Sequence, residues 1–186
     1  MHGEPTLDDT AALDRFLAGV EKRAFRMARF ATGDTEEALD LVQEAMFTLA
    51  RRYARRPEGE WGALFHRILQ NRIRDWYRRQ KVRNRLTGWL RWHDDDDGDD
   101  PVENLPDREQ HGPQAQVDNA AFHARLEAAL AALPLRQQQA FLLRVWEGLD
   151  VNETARAMGI SSGSVKTHYS RAVHALREKL GDFHDG

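Results

Sequence analysis

Apolar residues recur every three to four positions along most of this chain, which is the spacing of amphipathic helices and not the alternation of strands. The stretch Leu13 to Ala31 reads as a first helix, closed by Thr32-Gly33. Asp34 then offers an N-cap, and Glu37 stands three residues on, where it completes a capping box. A second helix carries Ala38, Leu41/Val42, Ala45/Met46, Leu49 and Tyr53 on one side. Pro57 and Gly59 interrupt the pattern. A third helix follows, with Trp61, Leu64/Phe65, Ile68, Ile73 and Trp76 on its apolar side, and a short separate helix is expected near Val82 to Trp92. Beyond a polar interval, Val117 to Leu133 is helical again. Pro134 suits the first turn of a helix running to about Trp146, where Gly148 stops it. Val151 to Met158 and Ser162 to Leu180 are the last two helices. No strand and no long-period repeat is legible, so the expected fold is all-α.

The interval itself divides the chain. His93 to Pro113 holds Asp94, Asp95, Asp96, Asp97, Asp99 and Asp100 with Pro101, Pro106 and Pro113. Such a stretch buries no core and repels itself, so it reads as a flexible acidic linker. The expected organisation is two small helical domains, 1–92 and 114–186, joined by a linker at 93–113. The net charge of −3 over 186 residues conceals this partition. Residues 15–92 carry 18 basic and 9 acidic groups, whereas residues 93–110 carry 1 basic and 9 acidic groups. The local excess of +9 points to a polyanionic partner for the first domain. The linker charge fits nucleic-acid mimicry, screening of that basic face, or a solvated spacer. With no cysteine, disulfides and thiolate metal sites are excluded. No apolar run approaches the roughly 20 residues of a membrane helix. The acidic N-terminus lacks the order of a signal peptide. A cytoplasmic location without membrane insertion is expected.

The most specific local pattern is Val151 to Arg171. Two short helices crossing steeply need a small residue at the crossing, supplied by Ala155, and a turn that accepts a left-handed backbone, supplied by Gly159. Ile160 and Val165 plug the angle between them, and Ser161 or Ser162 caps the second helix. In that helix Val165, Tyr169, Ala172/Val173, Leu176 and Leu180 form the inner stripe. Lys166, Thr167, Ser170, Arg171 and His174 lie opposite. A basic, hydroxyl-rich face on the second helix of a helix-turn-helix suits the DNA major groove. The competing reading is an ordinary helical hairpin with a solvated face.

A second pattern is WGALFHRILQNRIRDWYRRQKVRNR, residues 61–85. On a helix Arg67, Gln70/Asn71, Arg74 and Arg78 share a face, with Trp61, His66, Trp76 and Tyr77 close by. Cations hold phosphates and flat rings stack on unpaired bases, a combination suited to single-stranded or partly melted nucleic acid. For Trp61, Leu64, Phe65, Ile68 and Trp76 a place in the core fits equally well.

Taken together these stretches resemble the sigma-70 family of RNA polymerase sigma factors in its small two-domain extracytoplasmic-function (ECF) form. Asp40-Leu41-Val42-Gln43-Glu44 resembles the polymerase-binding motif of region two, and Trp61 to Arg79 resembles the melting and minus-ten segment. Leu133-Pro134 through Leu180, with Arg144, Glu147-Gly148-Leu149 and Gly159-Ile160-Ser161, resembles region four. The resemblance implies a transcription-initiation factor that binds core RNA polymerase, on both its β and β′ subunits, and directs it to promoter DNA. It implies that Asp40, Val42, Gln43 and Glu44 dock on the β′ clamp helices. It places Trp61, His66, Arg67, Asn71, Arg74 and Arg78 at the minus-ten DNA. Lys166, Thr167, His168, Ser170 and Arg171 fall at the minus-thirty-five element, and an anti-sigma factor is an implied partner. Met46 stands where the family usually has Phe, and Leu64 where it usually has Trp.

Other classes fit less of the chain. An enzyme is not expected: consecutive aspartates at Asp94 to Asp97 do not converge on a metal. The histidines show no zinc-type pairing, and no phosphate loop or nucleophile motif is present, so neither a metal nor a cofactor is expected. A stand-alone helix-turn-helix regulator of duplex DNA explains residues 149–180 and leaves Asp40–Glu44 and residues 61–85 without a role.

Overall fold

The computed structural model describes residues 7–88 and 117–181, and among these every regular element is helical. The helices are α1 (Leu7–Thr32), α2 (Thr35–Tyr53), α3 (Glu58–Gly88), α4 (Val117–Ala131), α5 (Leu135–Phe141), α6 (Val151–Met158) and α7 (Ser162–Leu180). A π-helical turn, Leu142–Trp146, extends α5. The acidic linker expected at 93–113 lies outside the described residues.

Two cores account for the packing. In the first, α1, α2 and α3 bury Leu13, Val20, Ala24, Ala28, Leu41, Val42, Leu49, Trp61, Phe65, Leu69 and Ile73. In the second, α4 to α7 bury Leu130, Leu133, Leu142, Leu143, Met158, Val165 and Leu176. The cores exchange residues at their edges. Leu135 of α5 belongs to the first, while Met27 of α1 belongs to the second with Phe30 packed beside it. Phe65 is wholly enclosed, and burial of a side chain of that size is worth about 1.5–3 kcal/mol.

The helix boundaries show where local chemistry wins and where packing does. Asp34 caps α2, its carboxylate accepting from the Glu37 N–H at 3.0 Å. The expected box does not close. The Asp34 N–H donates to Thr32 Oγ1 at 3.2 Å, and the Glu37 carboxylate accepts from Trp76 Nε1 at 2.8 Å. Glu37 therefore ties α2 to α3 instead of finishing its own helix end. The separate helix expected near Val82 to Trp92 is absent as such: α3 runs unbroken to Gly88, because nothing between Tyr77 and Arg85 breaks a helix. Residues 89–92 lie outside the description. At the other end α1 begins at Leu7, earlier than the apolar pattern alone marks.

Candidate nucleic-acid interface

The helix-turn-helix is built from α6, a tight turn and α7. Asp150 and Glu153 form a reciprocal capping box at the start of α6, with bonds of 2.7 Å in both directions. Gly159 adopts φ 66° and ψ 37°, the left-handed turn expected of it. A Cβ there would meet nothing within 4 Å, so the backbone angle and not space demands glycine. Ser161 is the N-cap of α7, accepting from the Ser164 N–H at 3.1 Å. Ser162 donates its hydroxyl to Asn152 Oδ1 at 2.8 Å and so ties the two helices across the turn.

With Val165, Ala172 and Leu176 buried, α7 leaves Lys166, Thr167, Ser170 and Arg171 exposed on the opposite side. Thr167 already donates to the Gly163 carbonyl at 3.1 Å, leaving its oxygen free to accept. His168 departs from the expectation. It is half-buried, because three residues after Val165 and four before Ala172 it shares their inner side. Arg144 holds the inner face: its guanidinium donates to the Leu149 carbonyl and lies 5.8 Å from the Tyr169 ring centroid. Tyr169 stacks on Phe141 at 6.2 Å.

On α3 the expected face is divided. Arg67 and Arg78 are exposed, and Asn71 and Arg74 are half-buried. Two residues leave the set of minus-ten contacts. Trp61 is 3% exposed, set against Phe16 with its Nε1 donating to the Tyr53 carbonyl at 3.1 Å, so it is core. His66 is 5% exposed, with Nε2 3.2 Å from the Glu147 carboxylate. It stands one turn before Gln70, which meets Gln139 of α5, so the two share the side of α3 that faces the second half of the chain. Gln70 is buried as well: its backbone carbonyl accepts from Gln139 Nε2 at 3.3 Å, and its side-chain Nε2 donates to Met27 Sδ at 3.4 Å. Arg67 borders an open cleft of about 600 Å³ with Asn152, Arg156, Ile160 and Ser161 across from it. Arg136 of α5 donates to Met158 O at 3.2 Å and to Gln139 Oε1 at 3.0 Å. Burial, and then the charges of Arg74 and Arg78, hold its guanidinium below the ordinary arginine value.

On α2, Asp40, Gln43 and Glu44 are exposed together. Val42 is buried and belongs to the first core, since it falls beside Ala38, Ala45 and Leu49 on the inner stripe. It cannot reach a partner. Glu44 is ion-paired with Arg72 of α3, which also donates to Thr48 Oγ1 at 2.8 Å. Sequence reading passed over Phe47, which is 66% exposed, and Leu39, which is also exposed. Phe47 lies three and four residues beyond Glu44 and Gln43, so it extends their face. Its signal was available: an aromatic outside the inner stripe has no core to enter.

Three comparisons bear on these surfaces. Residues 14–83 match the family model for Sigma-70 region 2, and residues 123–176 match that for Sigma-70, region 4. The RNA polymerase sigma-E factor of Streptomyces avermitilis is 35% identical over 183 residues, covering 96% of this chain and 88% of that protein. The chain belongs to the sigma-70 family. The sigma-E factor of Streptomyces coelicolor is also 35% identical, over 94% of this chain and 89% of that protein. The ECF RNA polymerase sigma factor SigM of Mycobacterium tuberculosis is 28% identical over 96% and 82%. Membership is thus of the ECF type. In fold, the chain is similar to the sigma factor RpoE solved with the anti-sigma factor NepR from Bartonella quintana. The TM-score is 0.61 at 23% identity, over 95% of this chain and 98% of that one. No helix among the described residues is long and apolar enough to cross a membrane.

Proposed function

We propose that this sigma factor docks on core RNA polymerase through the outer face of α2, with Asp40, Gln43, Glu44 and the apolar Phe47. In this reading α7 reads the minus-thirty-five element with Lys166, Thr167, Ser170 and Arg171. The α3 face of Arg67, Asn71, Arg74 and Arg78 holds the minus-ten strand once the duplex opens. The observation that carries the reading is that the same chain bears an exposed acidic and apolar helix face on α2 and a basic, hydroxyl-rich one on α7. The first suits a protein surface, the second the DNA major groove. The chain acts by binding, in the cytoplasm, and needs no catalytic site of its own. An anti-sigma factor is its expected inhibitor. A stand-alone regulator leaves the α2 face without a purpose.

Transcription with purified core polymerase on fragmented genomic DNA tests this. Discrete transcripts that require the chain are expected, and their loss in the double variant Gln43→Lys with Phe47→Glu is expected without loss of helicity. Equal transcription with and without the chain on every fragment rejects it.

A further inference from the structure

The edge of α3 nearest α2 holds a set of polar contacts that lies outside the strand-holding face. Arg72 and Trp76 stand one turn apart on α3, and Glu44 and Glu37 stand two turns apart on α2. Arg72 pairs with Glu44, and Trp76 Nε1 donates to Glu37, so one edge of α3 takes hold of two carboxylates. The two holds differ in depth. Trp76 packs against the first core, and its bond helps to join the helices. The other pair lies at the surface, with the Arg72 side chain 33% exposed and that of Glu44 57% exposed. An ion pair so open to water adds little to stability.

Its geometry is nevertheless fixed at several points. One terminal nitrogen of the Arg72 guanidinium donates to Glu44 Oε2, and the other donates to Thr48 Oγ1 at 2.8 Å. Thr48 Oγ1 donates in turn to the Glu44 backbone carbonyl at 2.7 Å. The hydroxyl proton is thereby committed to α2, and the oxygen lone pairs receive the arginine. Arg72 Nε is covered from solvent, so the guanidinium lies against α2. A lysine, with one compact charge, does not offer this two-pronged fork. The arginine engages Oε2 of a carboxylate that has room for about four hydrogen bonds, and the rest points outward. An exposed glutamate otherwise samples many rotamers and gives up that freedom on docking; a side chain already held gives up less. Arg72 follows Asn71 in sequence, but one residue is about 100° around the helix, which turns it from the strand-holding face toward α2.

We propose that Arg72 is a positioning residue for polymerase docking: it holds the Glu44 carboxylate in the orientation that docks, without itself meeting the polymerase. The proposal rests on the reading of the α2 face as the docking surface.

The test measures the affinity of the full chain for purified core polymerase, with the denaturation midpoint alongside. Arg72→Gln is expected to weaken core binding about fivefold, the cost of ordering one long side chain on docking, with the midpoint unchanged. In a Glu44→Ala chain the same change is expected to make no further difference, because a residue that acts through Glu44 has nothing left to position. Thr48→Val keeps both charges and removes the anchor. It is expected to weaken binding to a lesser extent, and it decides if Arg72→Gln fails to fold, unchanged binding then overturning the proposal. The exchange of Glu44→Arg with Arg72→Glu restores the pair but reverses the charge offered, so core binding is expected to stay weak. Recovery in that exchange makes the pair a structural brace and overturns the proposal. Unchanged or tighter binding by Arg72→Gln overturns it as well. An equal loss with and without Glu44 puts Arg72 itself on the polymerase, which also overturns it. If Glu44→Ala alone leaves core binding intact, the docking role of Glu44 falls, and the positioning role with it.

Discussion

The outer face of α7 and the basic face of α3 carry the same chemistry, arginines among short polar residues, yet the fold treats them in opposite ways. On α7 one stripe is buried and the other stands clear, so Lys166, Ser170 and Arg171 are ready for a ligand. On α3 a second partner arrives. The α1–α2 layer takes Trp61, Phe65, Leu69 and Ile73, and then α5 and α6 approach from another side and enclose His66 and Gln70. A helix packed on one side keeps its polar face in reserve. A helix packed on two sides commits part of that face to the protein itself. Residue type alone does not separate the two cases; the number of layers around the helix does.

The contrast is most severely broken by removing the packing behind the open face. Val165→Asp puts an unpaired charge at a fully buried position, with an expected cost of about 4 kcal/mol. Duplex binding by α7 should disappear while the α2 face still docks on polymerase. Equilibrium denaturation and core-binding assays measure the two effects separately. Arg171→Ala leaves the packing alone. Loss of a bidentate base contact costs about 1–3 kcal/mol and relaxes preference at one base pair. A phosphate contact instead weakens all duplexes alike and lowers the salt slope by about one unit. Binding to matched and mismatched duplexes across salt separates these outcomes.

Smaller still is Gly159→Ala. A left-handed alanine costs about 1–2 kcal/mol, and with no neighbour to strike the change should lower stability while leaving the preferred DNA sequence the same. The smallest effect sharpens the α3 side. Burial raises the Glu147 carboxyl, but the hydrogen bond and charge of His66, with the charge and hydrogen bond of Arg23, outweigh it and hold the group below its ordinary 4.5. A carboxyl lowered in this way adds its full stabilisation above about 4.5 and loses it as pH falls through the lowered value. Acid titration through the lowered Glu147 value should therefore loosen the junction that Glu147 makes with Arg23 and His66. Arg23, Arg26 and His66 are the charged or titratable groups facing it from α1 and α3. Scattering measured against pH should show expansion there in the parent and a flat response in Glu147→Gln.

How much of this was legible in the sequence depends on the same distinction. Turns and caps were, because their causes are local: Gly159 and Gly148 take positive φ, and Ser161 and Asp34 cap their helices. The open face of α7 was legible because its inner stripe is regular. Val42 was misread because a family motif is contiguous in sequence whereas a helix face is not. Trp61 fits core and contact alike in the sequence, and the first core takes it; His66 reads outward because a histidine near arginines looks the same whether it faces DNA or a second layer of helices. The Glu37–Trp76 bond lay beyond any local rule: Glu37 had an acceptable partner at its own helix end, and tertiary contact offered a better one. The contacts of Glu147 with Arg23 and His66 join residues far apart in the chain, which no periodicity encodes.

The π-helical turn at Leu142–Trp146 makes the chain sensitive to length as well as to composition. There the Glu147 N–H reaches back five residues to the Leu142 carbonyl, at 3.2 Å. One more residue is housed in that turn than an α-helix would hold. Deleting a single residue from it, with every other side chain kept, lets the turn close as α and swings the downstream residues by about 100° around the helix axis. Trp146 and Glu147 would then point away from α1. A one-codon deletion, conservative by any count of chemical groups, would thus reset which halves of the molecule recognise each other.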